Sequence, residues 1–222
     1  FHSLGNKMIF AVVDCTGHGV PGAFMSMIGN SILNQVVIED KASTTSEILG
    51  KMRTNLLKQL QQKGQEAVSR DGMDMSVCIW DKGKNTLQYS GANNPLYLVR
   101  KNINNAALQN LKMRPHGNDM IELLPDKQPI GYQEGKMETP FAMQTIQLQK
   151  GDLVYIASDG YHDQFGGEKN KKFTSRAFRD LLVSLNGKSV EQQKIILDGT
   201  IETWKANYAQ TDDICVMGVK IS

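Results

Sequence analysis

Two apolar runs in this chain end on an aspartate, and a third begins directly after a pair of them. Met8-Ile-Phe-Ala-Val-Val13 leads to Asp14, Leu153-Val-Tyr-Ile-Ala-Ser158 leads to Asp159, and Thr211-Asp212-Asp213 precedes Ile214-Cys-Val-Met-Gly-Val-Lys-Ile221. Runs without polar alternation predict strands buried on both faces. An aspartate at the end of such a strand stands where the sheet interior meets solvent, and its charge calls for a paired group or a bound cation. Glycine follows the first two at once, in Thr16-Gly17-His18-Gly19-Val20-Pro21-Gly22 and at Gly160, so the backbone can turn and a ligand can approach it.

Between these ends the period changes several times. Residues 1–7 read as the tail of a strand and a turn into the Met8 strand. Residues 21 to about 38 predict a helix with Met25, Ile28, Ile32 and Val36 on one face, and Gly22, Ser26 and Gly29 as small positions for close packing. Thr44-Thr-Ser-Glu47 has the form of a capping box, opening a second helix through Leu49, Met52, Leu56 and Leu60. Residues 64–72 predict a loop. Residues 73–80 and 86–90 predict a hairpin, continued by 95–100 into an antiparallel meander. Residues 102–118 read as an irregular loop or hairpin and 121–124 as a short edge strand. An ordered turn at Gln128-Pro-Ile-Gly131 follows, and 141–148 predicts a strand that forms a hairpin with the Leu153 strand. Residues 161–168 are rich in turn formers. Phe178, Leu181, Leu182 and Leu185 mark a third helix. Ser189-Val-Glu-Gln192 caps a fourth, with Val190, Leu197, Ile201 and Trp204 on one face.

Four amphipathic helices and roughly eight strands, in the order strand, helix pair, antiparallel strands, helix pair, strand, predict an α+β fold. The expected architecture is an αββα sandwich of two mainly antiparallel sheets flanked by helix pairs. No βαβ alternation, GxGxxG or P-loop is present, which disfavours nucleotide and dinucleotide folds.

Composition narrows this further. A length of 222 residues with 40% hydrophobic content suits one domain or at most two. The net charge is +2 and the longest basic cluster is Lys169-Asn-Lys171-Lys172, so no nucleic-acid footprint is expected. Cys15, Cys78 and Cys215 have no CxxC spacing, which argues against zinc and a disulfide scaffold and suits a reducing cytoplasm. No apolar segment reaches the roughly 20 residues of a membrane span. The start at Phe1 reads as that of a domain cut from a longer protein.

Aspartates at three strand ends, distant in sequence, offer an all-oxygen donor set. Such sets suit hard cations such as Mg²⁺ or Mn²⁺, which keep waters and bind phosphate groups. Two such ions can activate a bridging water for phosphoryl transfer.

Four motifs occur in order across nearly the whole chain: residues 13–23 (Val-Asp-Cys-Thr-Gly-His-Gly-Val-Pro-Gly-Ala), Gly91-Ala-Asn-Asn-Pro95, Gly151-Asp152 with Ala157-Ser-Asp-Gly160, and Thr211-Asp-Asp-Ile214. Together they resemble the stage II sporulation protein E-like branch of the metal-dependent type 2C serine/threonine phosphatases. The resemblance implies one phosphatase domain over 1–222, truncated at its N-terminus, with a site for two Mn²⁺ or Mg²⁺ ions. Asp14 would bridge both ions, the carbonyl of Cys15 would bind one, and Asp159 and Asp212 would complete the other's shell. Asp213 would lie just outside. The family's first acidic ligand stands on the strand before the one carrying Asp14, and this sequence starts just after that point, so weak or no activity is expected of the chain as given. His18 falls four residues after Asp14 and reads either as a general acid or as a helix cap; no general acid is assigned. Gly160, His162 and Asp163 sit beside Asp159, facing substrate or bonded locally.

The expected role is a cytoplasmic phosphatase output domain of a bacterial signalling protein, or the cytoplasmic part of a membrane-anchored sensor. Its substrate would be a phosphoserine or phosphothreonine on a regulatory protein of the anti-sigma-factor-antagonist type. An upstream sensor domain in the same polypeptide is implied, a homodimer is compatible, and neither nucleic acid nor a membrane segment is expected. The alternative is a catalytically silent regulatory or dimerisation module that keeps the fold, and a third reading is a hydrolase of non-protein phosphoesters.

Overall fold

The computed structural model describes residues 1–17, 19–61, 71–104, 108–132 and 139–222. In chain order the first elements are β1 (His2–Leu4), β2 (Lys7–Cys15), α1 (Gly19–Asn34), a π-helical turn (Gln35–Glu39) and α2 (Thr45–Gln59). Strands β3 (Gly72–Asp81), β4 (Thr86–Ala92), β5 (Leu96–Val99), β6 (Met113–His116), β7 (Met120–Leu123), β8 (Ile130–Gly131), β9 (Gln144–Gln147) and β10 (Leu153–Ala157) follow. The chain ends with α3 (Gly160–Asp163), β11 (Phe165–Gly166), β12 (Lys171–Lys172), α4 (Ser175–Ser184), α5 (Val190–Lys205) and β13 (Val216–Lys220). Two compact units contain them: Phe1–Pro95 with Leu124–Leu148, and Leu96–Leu123 with Gln149–Ser222. The class is α+β, with an antiparallel sheet and a helix pair in each unit, as the sequence predicts.

In the first unit the strand order is β1-β2-β3-β4-β9, with β8 also paired to β3. Strand alternation sends Ile9, Ala11, Val13 and Cys15 of β2 and Met73, Met75, Val77 and Ile79 of β3 into a core with Met25 and Ile32 of α1 and Ile48, Leu49, Met52 and Leu56 of α2. Phe10, Val12 and Asp14, and likewise Asp74, Ser76 and Cys78, occupy the opposite face. Phe10, Val12 and Cys78 are buried there too, which is why these strands read as unbroken apolar runs. Gly29 brings α1 close, since a Cβ there would lie 3.1 Å from Met73 Cε. The helix closes in a π turn, Asp40 N donating to Gln35 O at 2.9 Å, and the extra residue lets both Val36 and Val37 face the core. The capping motif of α2 forms only in part. Thr44 Oγ1 accepts from Glu47 N, but the Glu47 carboxylate takes the Ser43 N–H, one residue before the cap.

In the second unit the order is β13-β10-β5-β7-β6. Leu153, Tyr155 and Ala157 of β10 pack with Phe178 and Leu182 of α4 and Ile201 of α5. The expected apolar face of α5 is corrected at Val190, which is 48% exposed, whereas Gln193 is buried. Gln193 Oε1 accepts the Tyr155 hydroxyl at 2.7 Å, so a polar side chain on α5 satisfies a tyrosine in the core. Ser189 and Gln192 form the full reciprocal box expected of them. Ser189→Ala should cost about 1 kcal/mol of stability, read by urea denaturation.

Three strand expectations are corrected. The strand at 95–100 does not extend a meander: β5 pairs with β10 and β7, not with β4. The strand at 141–148 makes no hairpin with the Leu153 strand, because β9 pairs with β4 while β10 pairs with β5 and β13. Between them Asp152 is buried and held by Arg100 at 2.6 and 2.8 Å and by Gln149 N at 2.7 Å, which fixes the turn at the start of β10 instead. Finally β7 is an inner strand, and the edge is β6, hidden in the polar 102–118 stretch because an edge tolerates Pro115. Most of the loop expected at 64–72 falls outside the described residues, and Gly72 already opens β3. No helix among the described residues is long and apolar enough to cross a membrane.

Candidate metal centre

Asp14 stands directly opposite Asp74 in the β2 and β3 register. Facing residues of an antiparallel pair share one side of the sheet, so two carboxylates meet on the face away from α1 and α2, an unfavourable pairing unless a cation or donor intervenes. Asn93 Nδ2 donates a hydrogen bond to Asp74 Oδ1 at 2.8 Å. Asn93 adopts φ 59°, a left-handed conformation asparagine tolerates, which gives the Gly91-Ala-Asn-Asn-Pro95 motif a structural purpose.

The turn after Asp14 is tightly built. Thr16 N donates to Gly72 O at 3.0 Å, and Gly72 N donates to Thr16 Oγ1 at 3.2 Å, tying the turn to the start of β3. A Cβ on Gly22 would stand 2.5 Å from Gly17 O, so only glycine allows the turn to close on α1. Cys15 is half-buried, and burial raises its thiol pKa against a lowering hydrogen bond with Ser26. The sulfur therefore stays protonated near neutrality. His18 lies outside the described residues.

In the second unit Asp159 lies two residues after β10 and directly precedes α3. Its Oδ1 is buried and has no hydrogen-bond partner among the described residues. Burial raises its carboxyl pKa, and the charges of Asp212 and Asp163 push the same way. A buried carboxylate oxygen without a donor, next to a second aspartate, is the environment a hard cation relieves, so these residues fit a metal. Asp212 and Asp213 are exposed on the loop before β13; Asp212 Oδ1 accepts from Asp213 N at 2.8 Å. Ser158 Oγ donates to Asp213 O at 2.8 Å and accepts from Cys215 N at 2.9 Å, holding this loop to the end of β10. Gly160 is packed so closely that a Cβ would fall 2.4 Å from Asp213 O.

The flanking residues of α3 differ in their engagement. Asp163 is bound by Lys172 Nζ at 2.7 Å, a largely exposed pair. Burial lowers the His162 pKa, outweighing Asp163 and Asp159, so the ring is neutral at pH 7, and its buried Nδ1 has no partner among the described residues. Cys215 is exposed rather than packed in a core. Among the described residues no three side chains of His, Cys, Asp or Glu form a ready-made cation cluster; Asp14 faces Asp74 in the sheet register, and Asp212 acts electrostatically on Asp159. The sequence motifs include Asn93 without a role, and Asp74 lies in none of them. The available signal was a charge inside the otherwise apolar run at 73–80.

The raised Asp159 carboxyl has a consequence for stability. The folded state binds its proton more tightly than the unfolded state, so this group stabilises the metal-free fold below the ordinary carboxylate pKa of about 4, and the contribution is lost as pH rises through the raised value. At neutral pH, metal-free Asp159→Asn should therefore melt above the wild type. The gap should close below about pH 4, and melting scans across pH check both.

The chain is similar in fold to several solved structures. The SiaA-PP2C domain of Pseudomonas aeruginosa superposes with a TM-score of 0.82 at 24% identity, covering 100% of this chain and 78% of that one. The structure of the RsbU and RsbW domains of Rv1364c from Mycobacterium tuberculosis gives 0.66 at 23% identity, covering 98% of this chain and 52% of that one. The PP2C phosphatase domain of SpoIIE from Bacillus subtilis, with a fragment of its regulatory domain, gives 0.68 at 17% identity, covering 97% and 55%. The chain thus spans about half the length of the last two. No curated protein sequence matches it. The family model described as Stage II sporulation protein E (SpoIIE) matches residues 5–222, and the chain belongs to that family of PP2C-type phosphatase domains.

Proposed function

We propose that this chain is a metal-dependent protein serine/threonine phosphatase, the cytoplasmic output domain of a bacterial signalling protein. Its substrate class is a phosphoserine or phosphothreonine on a regulatory protein of the anti-sigma-factor-antagonist type. The observation that carries the reading is the buried Asp159 Oδ1, without a donor among the described residues and beside Asp212, in a chain of the SpoIIE family. In this proposal Asp14, the Cys15 carbonyl, Asp159 and Asp212 hold two Mn²⁺ or Mg²⁺ ions. Such ions, when bound, supply a water acidic enough to act as hydroxide near neutral pH and neutralise charge on the phosphoryl oxygens.

The chain's own residues shape the rest. Asp159 brings a negative charge that burial and the neighbouring Asp212 make costly, and Asp14 brings one that faces Asp74 across the β2 and β3 pair. The Cys15 thiol, its pKa pushed up by burial, stays protonated near neutrality and supplies no nucleophile. His162 is neutral at pH 7, and the general acid stays unassigned. Lys172 neutralises Asp163, so that carboxylate does not repel a phosphate. An upstream sensor domain in the same polypeptide and a homodimer belong to the same proposal.

The test is release of phosphate from a phosphoserine peptide by the full-length protein. Mn²⁺-dependent release that EDTA stops is expected; release indifferent to metal, or none with Mn²⁺, contradicts the reading.

A further inference from the structure

We propose that Gln164 is a positioning residue that fixes Asp212 relative to Asp159; this rests on the reading of both aspartates as ion ligands. Gln164 follows α3 directly and is fully buried, an unusual place for an amide that needs partners on both ends. Its Nε2 donates to Ala209 O at 2.9 Å and to Phe165 O at 2.9 Å, and its Oε1 accepts from Thr211 N at 3.3 Å. The main-chain oxygen accepts from Trp204 Nε1 at 3.1 Å and from Phe173 N at 3.0 Å, so the residue is itself held on two sides.

The segment it grips has no regular structure. Residues 206–213 are exposed throughout and lie between the end of α5 and β13. Two clamps tie this segment to the Asp159 turn. Gln164 takes it at Ala209 and Thr211, before Asp212, and Ser158 takes it at Asp213 and Cys215, after Asp212. Asp212 is thus bracketed by two side chains that flank Asp159 in sequence. Groups that orient a ligand without touching the ion change metal affinity by about 10–100-fold when replaced.

Gln164→Met keeps length and removes both hydrogen-bonding ends. Calorimetric titration of Mn²⁺ should show affinity weakened about 10–100-fold, with kcat at saturating Mn²⁺ near the wild-type value. In the metal-free protein the Thr211 amide should exchange with solvent faster in the variant, while β13 amides keep their rates. A merely structural glutamine would lower melting temperature without this split between metal affinity and turnover. If Gln164→Met does not fold, the wild type decides: its Thr211 amide should exchange more slowly than that of its exposed neighbour Gln210, and equal rates overturn the proposal. Asp212→Asn separates the two levels. If Asp212→Asn binds Mn²⁺ as the wild type does, the ligand reading fails. If it loses affinity while Gln164→Met does not, only the role of Gln164 is overturned.

Discussion

Asp14→Asn should reduce Mn²⁺-dependent hydrolysis of a phosphoserine peptide by about 10³-fold, the scale on which a preorganised charge-stabilising group is lost. Asparagine keeps the shape and one acceptor oxygen but removes the charge that a bridging ligand needs. The fold should not suffer. Asp14 faces Asp74 across the β2 and β3 pair, and like charges directly opposite one another destabilise a sheet. Asparagine removes that like-charge pairing and keeps the shape of the side chain, so the metal-free variant is expected to retain the fold. Loss of turnover with retained stability is the signature; a parallel loss of both would mean that Asp14 serves the fold and not the chemistry. Steady-state kinetics at saturating Mn²⁺, paired with melting of the EDTA-treated protein, gives both numbers.

Gly160→Ala should destabilise the chain by about 2–3 kcal/mol, the upper range for overpacking. The added Cβ would stand 2.4 Å from Asp213 O and 2.9 Å from its carbon, and both are backbone atoms. They cannot retreat freely, because the Ser158 hydroxyl already holds Asp213 O. Relief must come from moving the loop that carries Asp212, so Mn²⁺ affinity should fall by at least about tenfold as well. Gly50→Ala supplies the contrast. Gly50 lies inside α2 with nothing within 4 Å of an added Cβ, and alanine there should stabilise by about 1 kcal/mol. Urea denaturation and calorimetry with Mn²⁺ check the pair.

Both results turn on features of unequal legibility. The strands ending at Asp14 and Asp159 were readable because both of their faces are buried, which leaves an unbroken apolar run and makes the terminal charge conspicuous. The Ser189 box was readable because capping is local chemistry, decided within four residues. The partnership of strands was not. Nothing between β4 and β5 announces that Pro95 carries the chain from one sheet to another, since pairing is settled by contacts far apart in sequence. The strand β6 was legible only as one of two alternatives, the hairpin at 102–118, because an edge strand owes little to hydrophobic alternation. Asp74 and Gln164 illustrate the same limit at the site. Asp74 gains its meaning from lying opposite Asp14, and Gln164 from reaching Ala209 and Thr211, more than forty residues away. A polar residue in a turn-rich stretch gives no hint that its side chain is buried, and burial is what makes its hydrogen bonds matter.

Anomalous scattering from crystals of the full-length protein grown with Mn²⁺ decides whether these aspartates hold divalent ions together. Two manganese peaks about 3.5–4 Å apart are expected, both contacted by Asp14 and both lost in Asp14→Asn. Manganese bound by Asp159 and Asp212 without Asp14, or no manganese at any of the three, would contradict this arrangement.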